Sequence, residues 1–267
     1  MMIGDVVGDP GLEVLEKRLP ALIAENASTL TVVNGENAAA GFGLSEESLN
    51  RIFAAGADVV TSGNHVWEKR DFWPVLESER PVLRPANYPE KFGTQPGEVP
   101  GKGWLCLEKQ GARFLVINLQ GREKMTPIDC PFRCADNILA KSRDGSDGAG
   151  DSAAVPAFVV VDFHAESSAE KEALAYYLDG RASLVAGTHT HVQTADERIL
   201  PGGTAYITDL GMTGAMNGVI GMDPSICINR ARTQIAYRME CALPESEEDS
   251  AIQGIIAEFD GNSKNAV

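Results

Sequence analysis

The sequence predicts an α/β fold in which two mixed sheets pack together and helices cover their outer faces. Residues 1–61 alternate β-branched runs with helical segments, an order typical of a parallel sheet with right-handed crossovers. An antiparallel hairpin is expected in the middle of the chain, and short apolar runs recur as strands after it. A chain of 267 residues can bury a large core, and we expect one domain over residues 1–267.

The first third supplies three strands and two helices. The predicted strands are Met1–Ile3, Thr29–Val33 and Ala57–Thr61. The predicted helices run from Pro10 to about Ala24 and from Ser45 to about Ala55. Pro10 suits a first helical turn, whereas Ser45 suits the N-cap and Gly56 the C-terminal cap of the second helix.

The rest of the chain is expected to add a hairpin, two helices and further strands. The hairpin pairs Trp104–Lys109 with Ala112–Leu119, and the helices lie near Cys134–Ala140 and at Ser168–Leu178. The remaining predicted strands are Val155–Asp162, Ser183–Ala186, Thr204–Asp209, Ile235–Leu243 and an antiparallel Ile252–Phe259. A Gly/Asp/Ser-rich stretch at 143–152 predicts an exposed loop, and residues 261–267 a flexible tail.

Composition excludes several classes of function. The net charge of −15 argues against stable binding to nucleic acid or to an anionic membrane, which requires a basic surface. An anionic substrate remains compatible with this charge, because bound divalent metals reverse the local field. The five cysteines include no Cys-x-x-Cys motif, no signal peptide is visible, and no apolar run is long enough to span a bilayer. We therefore expect a cytoplasmic protein.

Side chains that can bind metals recur where the predicted strands end. They are Asp5, Glu36, Asn37, Asn64, His65, His164, His189 and His191, which include all four histidines of the chain. Ligands of open α/β sheets bind beyond the carboxyl ends of the strands, so we expect these side chains to meet. A mixture of carboxylates, amides and imidazoles indicates hard or borderline metal ions, and Fe, Mn or Zn suit it better than Mg.

The pattern favours two metal ions that share a ligand. His189 and His191 point to the same side of an extended segment, because side chains alternate along a strand. Glu36 can bridge two cations, and the amide oxygen of Asn37 can bind one without adding charge. The set then suffices for two four-ligand sites and leaves His65 for chemistry. Each motif also has a simpler interpretation, since Gly-Asp and Asn-Gly segments often form polar turns.

Five motifs together resemble the calcineurin-like metallophosphoesterases, and more narrowly the bacterial YmdB-like family of 2′,3′-cyclic-nucleotide phosphodiesterases. They are Gly-Asp-Val-Val-Gly, Asn-Gly-Glu-Asn-Ala-Ala, Gly-Asn-His, Asp-Phe-His-Ala-Glu and Gly-Thr-His-Thr-His-Val-Gln-Thr-Ala-Asp. The resemblance covers nearly the whole chain and implies a four-layer αββα sandwich with two divalent metal ions, most often iron or manganese. It implies that metal one is held by Asp5, Glu36, Asn37 and His191, and metal two by Glu36, Asn64, His164 and His189.

Two departures from the wider superfamily concern the first and third motifs. The superfamily usually has Asp-x-His at the first motif, whereas Asp5-Val6-Val7 lacks that histidine, as does the narrower family. The superfamily also often has an aspartate after Gly-Asn-His, where this chain has Val66. Glu68 is the candidate to orient His65 in its place.

The resemblance implies hydrolysis of a small phosphodiester, with 2′,3′-cyclic nucleotides as the expected substrates. A metal-bound hydroxide would attack phosphorus, and His65, which matches the family's catalytic histidine, would act as the general acid. Arg122 and Arg181 lie in family-like segments and are candidates to contact phosphate or ribose. A surface salt bridge is an equally good interpretation of either arginine.

The sequence is compatible with two other functions. A two-metal amidohydrolase or peptidase would use the same types of ligand, but the sandwich-like strand order counts against it. A regulator that binds a nucleotide or a partner protein would not need a complete ligand set. The sequence leaves open whether copies of the chain form a homo-oligomer.

Overall fold

The computed structural model describes residues 1–89, 99–144, 157–261 and 265–267 of the chain. The strands are β1 (Met2–Ile3), β2 (Asp5–Val6), β3 (Val32–Asn34), β4 (Val59–Thr61), β5 (Trp104–Lys109), β6 (Ala112–Gln120), β7 (Phe158–His164), β8 (Leu184–Thr188), β9 (Arg198–Ile199), β10 (Ala205–Ile207), β11 (Met212–Ala215), β12 (Ser250–Ala251) and β13 (Gly254–Ile255). The helices are α1 (Gly8–Glu25), α2 (Glu46–Ala54), α3 (Trp73–Leu76), α4 (Pro131–Asp144), α5 (Ser168–Leu178) and α6 (Pro224–Thr233). No helix in these segments is both long enough and apolar enough to cross a membrane.

The strands form three mixed sheets. A four-stranded sheet has the order β13-β1-β3-β4, and a six-stranded sheet has the order β5-β6-β7-β8-β10-β9. A small third sheet has the order β12-β11-β2. The central pairs β1–β3, β3–β4, β6–β7, β7–β8 and β8–β10 are parallel, whereas β13, β5 and β9 pair antiparallel at the edges. The carboxyl ends of the parallel strands therefore share one direction within each sheet.

The buried apolar side chains form three main clusters. One joins α1 and α2 to the four-stranded sheet and includes Leu15 and Val33. A second joins α4 and α5 to the six-stranded sheet and includes Phe163 and Leu174. The third includes Val116 of β6 together with residues of β1, β3 and β8, so that it lies between the two larger sheets. Buried apolar clusters therefore involve both large sheets and the helices α1, α2, α4 and α5.

Gly4 marks the point where the chain passes from one sheet to another. β1 pairs with β3 and β13, whereas β2, one residue later, pairs with β11 of the small sheet. A side chain at position 4 would place its Cβ 2.2 Å from the carbonyl oxygen of Gly211, so only glycine fits without a backbone shift. This crossing brings Asp5 into the interior, where its side chain is completely buried.

Several strands and helices begin and end at or near the predicted residues. The strand Trp104–Lys109 and the helix Ser168–Leu178 have the predicted bounds. α2 begins after Ser45, whose hydroxyl accepts a hydrogen bond from the backbone N–H of Ser48 at 3.1 Å. The strands β3, β7 and β8 end one or two residues later than predicted. As a result, His164 belongs to the end of its strand and does not follow it.

The prediction of a strand at Ile235–Leu243 is wrong. The chain there forms no strand beyond a single bridge between Cys241 and Met222, and Ile235 and Leu243 are exposed. Alternating apolar residues therefore do not mark a buried face in this segment. The preceding helix α6 was not predicted, because none of its residues is buried and it lacks an apolar stripe.

The C-terminal predictions hold only in part. Of the strand predicted at Ile252–Phe259, Gly254 and Ile255 pair antiparallel with β1, as β13. Of the tail predicted at 261–267, residues 262–264 lie outside the described residues, the backbone N–H of Val267 donates to the carbonyl of Glu258, and Ala266 bridges to Phe259. The predicted loop at 143–152 begins with two residues that close α4, and from 145 onward it lies outside the described residues.

Candidate metal centre

The ends of strands from all three sheets converge on one cluster of polar side chains. Glu36 follows β3, and its Oε1 accepts a hydrogen bond of 2.6 Å from the backbone N–H of His65, which follows β4. His164 ends β7, and its Nε2 lies 3.5 Å from Oε1 of Glu36. Asp5 of β2 accepts a 3.2 Å hydrogen bond from the backbone N–H of His189, just beyond β8. The predicted metal-binding side chains therefore meet at the carboxyl ends of the parallel strands.

His191 and Asn37 face each other with two hydrogen-bond acceptors. Nδ1 of His191 lies 2.9 Å from the carbonyl oxygen of Ile220, which can only accept, so Nδ1 carries the proton and Nε2 a lone pair. The Asn37 amide nitrogen donates to the carbonyl of Gly41 at 2.9 Å, which directs Oδ1 toward His191. The two acceptors lie 3.2 Å apart, and a cation between them would satisfy both.

A second group of acceptors surrounds Nε2 of His164. The Thr188 hydroxyl donates to Asp162 at 2.7 Å and therefore accepts from Nδ1 of His164 at 3.0 Å, which leaves a lone pair on Nε2. That Nε2 lies 3.2 Å from Oδ1 of Asn64 and 3.0 Å from Nδ1 of His189. Burial lowers the pKa of His164 well below its usual value and lowers the pKa of His189 to about 4. Neutral imidazoles are the form that binds metals.

Among the described residues, two buried carboxylate oxygens at this centre have no hydrogen-bond partner. They are Oδ1 of Asp5 and Oε2 of Glu36, both completely buried. Burial, with Asp209 nearby, raises the pKa of Asp5 to about 7, and burial raises the pKa of Glu36 well above its usual value. An unpartnered buried carboxylate is costly, and a bound cation would remove this cost. The residues present therefore fit divalent metal ions.

The amide side chains are essential to this fit. In the described part of the chain, no group of three or more His, Cys, Asp or Glu side chains is placed to hold a metal ion by itself. Asn37 and Asn64 supply the additional oxygen atoms, each 3.2 Å from an imidazole nitrogen. A mixed set of this kind suits hard and borderline cations, which prefer oxygen and imidazole ligands.

A buried network holds His164 in place. Asp162, which is fully buried, accepts hydrogen bonds from Thr188, Thr61 and Asn34 at 2.7, 2.5 and 2.9 Å. Because Thr188 in turn accepts from His164, the carboxylate of Asp162 fixes the orientation and tautomer of the imidazole through one hydroxyl. Thr61 and Asn34 were not predicted to belong to the site.

A second network holds the segment that carries His189 and His191. Both histidines have positive φ angles, 103° and 62°, which non-glycine residues rarely adopt. Between them, Thr190 donates to the Asp209 carboxylate from its backbone N–H at 3.1 Å and from its hydroxyl at 2.8 Å. Asp209 is paired at 2.7 Å with Lys171, and both side chains are buried. The ion pair of Lys171 and Asp209 therefore holds this strained turn in place. Lys171 was not predicted to belong to the site.

His65 lies beside the acceptors in an open cleft of about 680 Å³. Its Nδ1 is 3.2 Å from Oε1 of Glu68, so the predicted partner of this imidazole is in place. The ring also makes an edge contact with Phe42, at 5.1 Å between centroids. About a quarter of the His65 side chain is exposed, which leaves it accessible from the cleft.

The structure does not bring Arg122 and Arg181 to the cleft. Arg181 pairs with Asp136 at 2.7 Å and stacks on Tyr177, which ties it to the outer surface of α4 and α5. The Arg122 side chain is exposed and does not line the cleft. Instead, Arg230 of α6 lines it, and no sequence signal identified this residue because α6 itself was not predicted.

Glu166 is another cleft residue that was not assigned a role. Its Oε2 lies 3.4 Å from Nε2 of His189, which favours the proton on that nitrogen and the lone pair on Nδ1. Glu166 is the last residue of the Asp-Phe-His-Ala-Glu motif, and its place in this motif could have identified it as a site residue.

The chain is similar to known proteins along its whole length. A family model described as "YmdB-like protein" matches residues 1–267. The 2′,3′-cyclic-nucleotide 2′-phosphodiesterase of Bacillus subtilis (strain 168) is 43% identical over 267 residues, which cover 100% of this chain and 93% of that protein.

Two solved structures share the fold over nearly the whole chain. A novel phosphatase from Mycoplasma pneumoniae has a TM-score of 0.85 and 31% identity, covering 100% of this chain and 89% of its own. A hypothetical protein from Thermus thermophilus has a TM-score of 0.79 and 39% identity, covering 95% of this chain and 96% of its own. The resemblance that the five motifs indicated is confirmed, and the chain belongs to the YmdB-like family.

Proposed function

We propose that this protein is a phosphodiesterase that uses two divalent cations to hydrolyse 2′,3′-cyclic nucleotides. The observation that carries the proposal is the convergence of unprotonated acceptors in two groups, with Glu36 3.5 Å from Nε2 of His164 in one group and next to Asn37 of the other in the sequence. In one group Asn64 and His189 face His164, and in the other His191 and Asn37 face each other. The substrate class comes from the activity named for the Bacillus subtilis relative.

In this proposal the fold is a four-layer αββα sandwich. The three apolar clusters support the arrangement, since one lies between the two large sheets and one lies between each sheet and its helices. The site then occupies the edge where both sheets present their strand ends, which is where ligands bind in open α/β sheets.

Each cation would have four protein ligands, with Glu36 shared. The first set is Asp5, Glu36, Asn37 and His191, and the second is Glu36, Asn64, His164 and His189. Iron or manganese suits the mixture of imidazole and oxygen ligands better than magnesium. When bound, the cations supply positive charge for the phosphate and a water of lowered pKa as the nucleophile.

His65 acts as the general acid. Glu68 accepts from Nδ1 of His65, so the transferable proton resides on Nε2 of the imidazolium. The backbone N–H of the same residue is held by Glu36, which keeps His65 next to the metal-binding carboxylate. Donation of this proton to the departing ribose oxygen typically contributes about 10²–10⁴-fold to the rate.

The relative's activity defines the bond that breaks. Cleavage of the 2′ ester adds water across the bond between phosphorus and O2′, frees the 2′-hydroxyl and leaves a nucleoside 3′-monophosphate. His65 would then protonate O2′. The buried network of Asp162 and Thr188 keeps Nε2 of His164 unprotonated throughout.

Turnover of 2′,3′-cyclic AMP by the purified protein, with added Mn²⁺ or Fe²⁺, tests this function. We expect 3′-AMP as the product by ³¹P NMR and loss of activity after chelation. An amide substrate, measured in parallel, tests the amidohydrolase alternative and should not react. Nucleotide binding without any phosphodiester hydrolysis, with Mn²⁺, Fe²⁺ or Zn²⁺, would refute the proposal and favour a regulator.

A further inference from the structure

One wall of the cleft is formed by α6 and the chain that follows it. Cys227, Arg230 and Ala231 line the cleft and are three and four residues apart, so they lie on one face of the helix. Met239 from the following segment lines it as well. This wall contains none of the residues that the motifs identified as metal ligands or as the acid.

Arg230 is the only arginine or lysine among the described residues that line this cleft. The carboxylates of Glu36 and Glu166 line the same space, and the whole chain carries a net charge of −15. An anionic substrate that enters the cleft therefore meets one cationic side chain of the protein. A guanidinium presents a planar fork of donors that matches phosphate oxygens.

The guanidinium of Arg230 is largely available for a ligand. Within the described segments it makes one hydrogen bond, from Nη1 to the carbonyl oxygen of Tyr237 at 3.3 Å, and no ion pair. Arg181 and Arg198 differ, since each is engaged with at least one carboxylate on the surface. The Tyr237 contact positions the side chain while most of its five N–H groups remain for other acceptors.

We propose that Arg230 is a substrate-binding residue that contacts the phosphate group of the phosphodiester from α6. The proposal rests on the proposed function, and it adds a charged contact from a part of the fold that supplies no metal ligand. Arg230 would balance the phosphate charge that the two cations do not neutralise, and it would hold the substrate against His65 across the cleft.

The test compares Arg230→Gln with Arg232→Gln. Arg232 lies on the same helix, but two residues further on, so it does not share the cleft-facing side and does not line the cleft. Both substitutions remove one positive charge from an exposed position, and neither residue is part of the core. Metal content and the unfolding temperature are measured for both variants.

Three measurements then report on the contact: the affinity for inorganic phosphate by calorimetry, and kcat and KM for 2′,3′-cyclic AMP and for bis-p-nitrophenyl phosphate. For Arg230→Gln we expect weaker phosphate binding and kcat/KM about 10- to 100-fold lower for both substrates, mainly through KM. Arg232→Gln should stay within about twofold of the wild type for all three, since its charge is directed away from the cleft.

Unchanged phosphate affinity in Arg230→Gln would overturn the proposal. A decrease in kcat/KM confined to 2′,3′-cyclic AMP would also overturn it, because the contact would then be with the nucleoside. A parallel loss of bound metal in Arg230→Gln would overturn it as well. Failure of the proposed function has a different signature: the wild type would hydrolyse no phosphodiester, yet the difference in phosphate affinity between the two variants would persist.

Discussion

At the scale of single residues, the direction of lone pairs decides what the site can bind. His191 and Asn37 could form a hydrogen bond with each other, but each already donates elsewhere, to Ile220 and Gly41. Both therefore present acceptors to the same point. The sequence predicted which residues meet, but the tautomers depend on backbone carbonyls that are distant along the chain. Ile220, for example, belongs to no motif.

The proposed acid is tested by His65→Ala. We expect the variant to retain its metal, because the described contacts of the His65 ring are with Glu68 and Phe42, neither of which is a proposed ligand. Turnover should fall by about 10²–10⁴-fold, the usual contribution of general acid catalysis. Elemental analysis and steady-state kinetics measure the two effects.

Glu68→Gln is the matched control, since it keeps the imidazole and weakens only its partner. A smaller loss than in His65→Ala is expected. Full activity of a metal-loaded His65→Ala protein would contradict the assignment of this residue as the acid.

Glu36→Gln tests the shared ligand. The substitution keeps the shape of the side chain and replaces a buried carboxyl group whose Oε2 has no hydrogen-bond partner. We expect loss of bound metal, since the amide cannot bridge two cations as a carboxylate does. We also expect the metal-free variant to be at least as stable as the metal-free wild type, because burial penalises the ionised carboxyl group, which raises the pKa of Glu36, and an amide has no ionised form to penalise. Metal stoichiometry equal to that of the wild type would rule out the bridging role.

At the scale of elements, close approach between strand ends positions the ligands. Gly63 follows β4, and a Cβ at this position would lie 2.1 Å from Cδ2 and 2.3 Å from Nε2 of His164 on β7. The four-stranded and six-stranded sheets therefore meet here with no room for a side chain. This contact explains why a glycine precedes Asn64 and His65. A turn at this position would not by itself require glycine.

Gly63→Ala should displace His164 and weaken metal binding. We expect affinity for Mn²⁺ to fall by about 10- to 100-fold, as it does when groups that orient a ligand are changed. Calorimetric titration measures this affinity. Gly261→Ala is the control, because a Cβ there would meet no atom of the described residues within 4 Å. Equal affinities in the two variants would show that the close approach does not position the ligand.

Lys171→Met tests the anchor of the turn that carries His189 and His191. Removing one partner of a buried ion pair typically costs about 3–5 kcal/mol, because the carboxylate of Asp209 remains buried without its cation. We expect the free energy of unfolding in urea to fall by about this amount. The double variant Lys171→Met with Asp209→Asn should recover part of the loss.

A second measurement separates anchoring from general stability. Under conditions in which the double variant is fully folded, Mn²⁺ affinity should still be reduced, since a neutral amide at position 209 would hold Thr190 less firmly than the carboxylate of Asp209 does. Wild-type affinity in a folded double variant would mean that the pair stabilises the fold alone.

At the scale of the whole molecule, the sequence predicted an α/β fold with mixed sheets and a cluster of polar side chains at the strand ends, but not the wall of the cleft. Parallel strands with polar residues at their ends are recognisable because periodicity and strand-end chemistry are local properties. α6 is not, since its residues are all at least partly exposed and show no apolar stripe. Arg230 was missed for this reason, whereas Arg122 and Arg181 were chosen from their neighbours in sequence and lie outside the cleft.

The sheet crossings are also a property of the whole molecule. The chain changes sheets at Gly4 and again between β12 and β13, where the carbonyl of Gln253 accepts from the backbone N–H of Gly4 at 2.9 Å. The strand predicted at Ile252–Phe259 contains β13 alone, and β12 was not predicted, because a switch between sheets leaves no signature in periodicity. The packing that buries Asp5 thus depends on contacts between the two ends of the chain.

Anomalous diffraction from crystals grown with Mn²⁺ shows whether the two groups of acceptors around Glu36 hold two cations. We predict two anomalous peaks roughly 3.5–4 Å apart, as in other two-metal sites, with Glu36 between them. One peak should lie between Asn37 and His191, and the other next to His164 and His189. A single peak, or no peak at these side chains in a metal-saturated crystal, would show that they do not form a two-metal site.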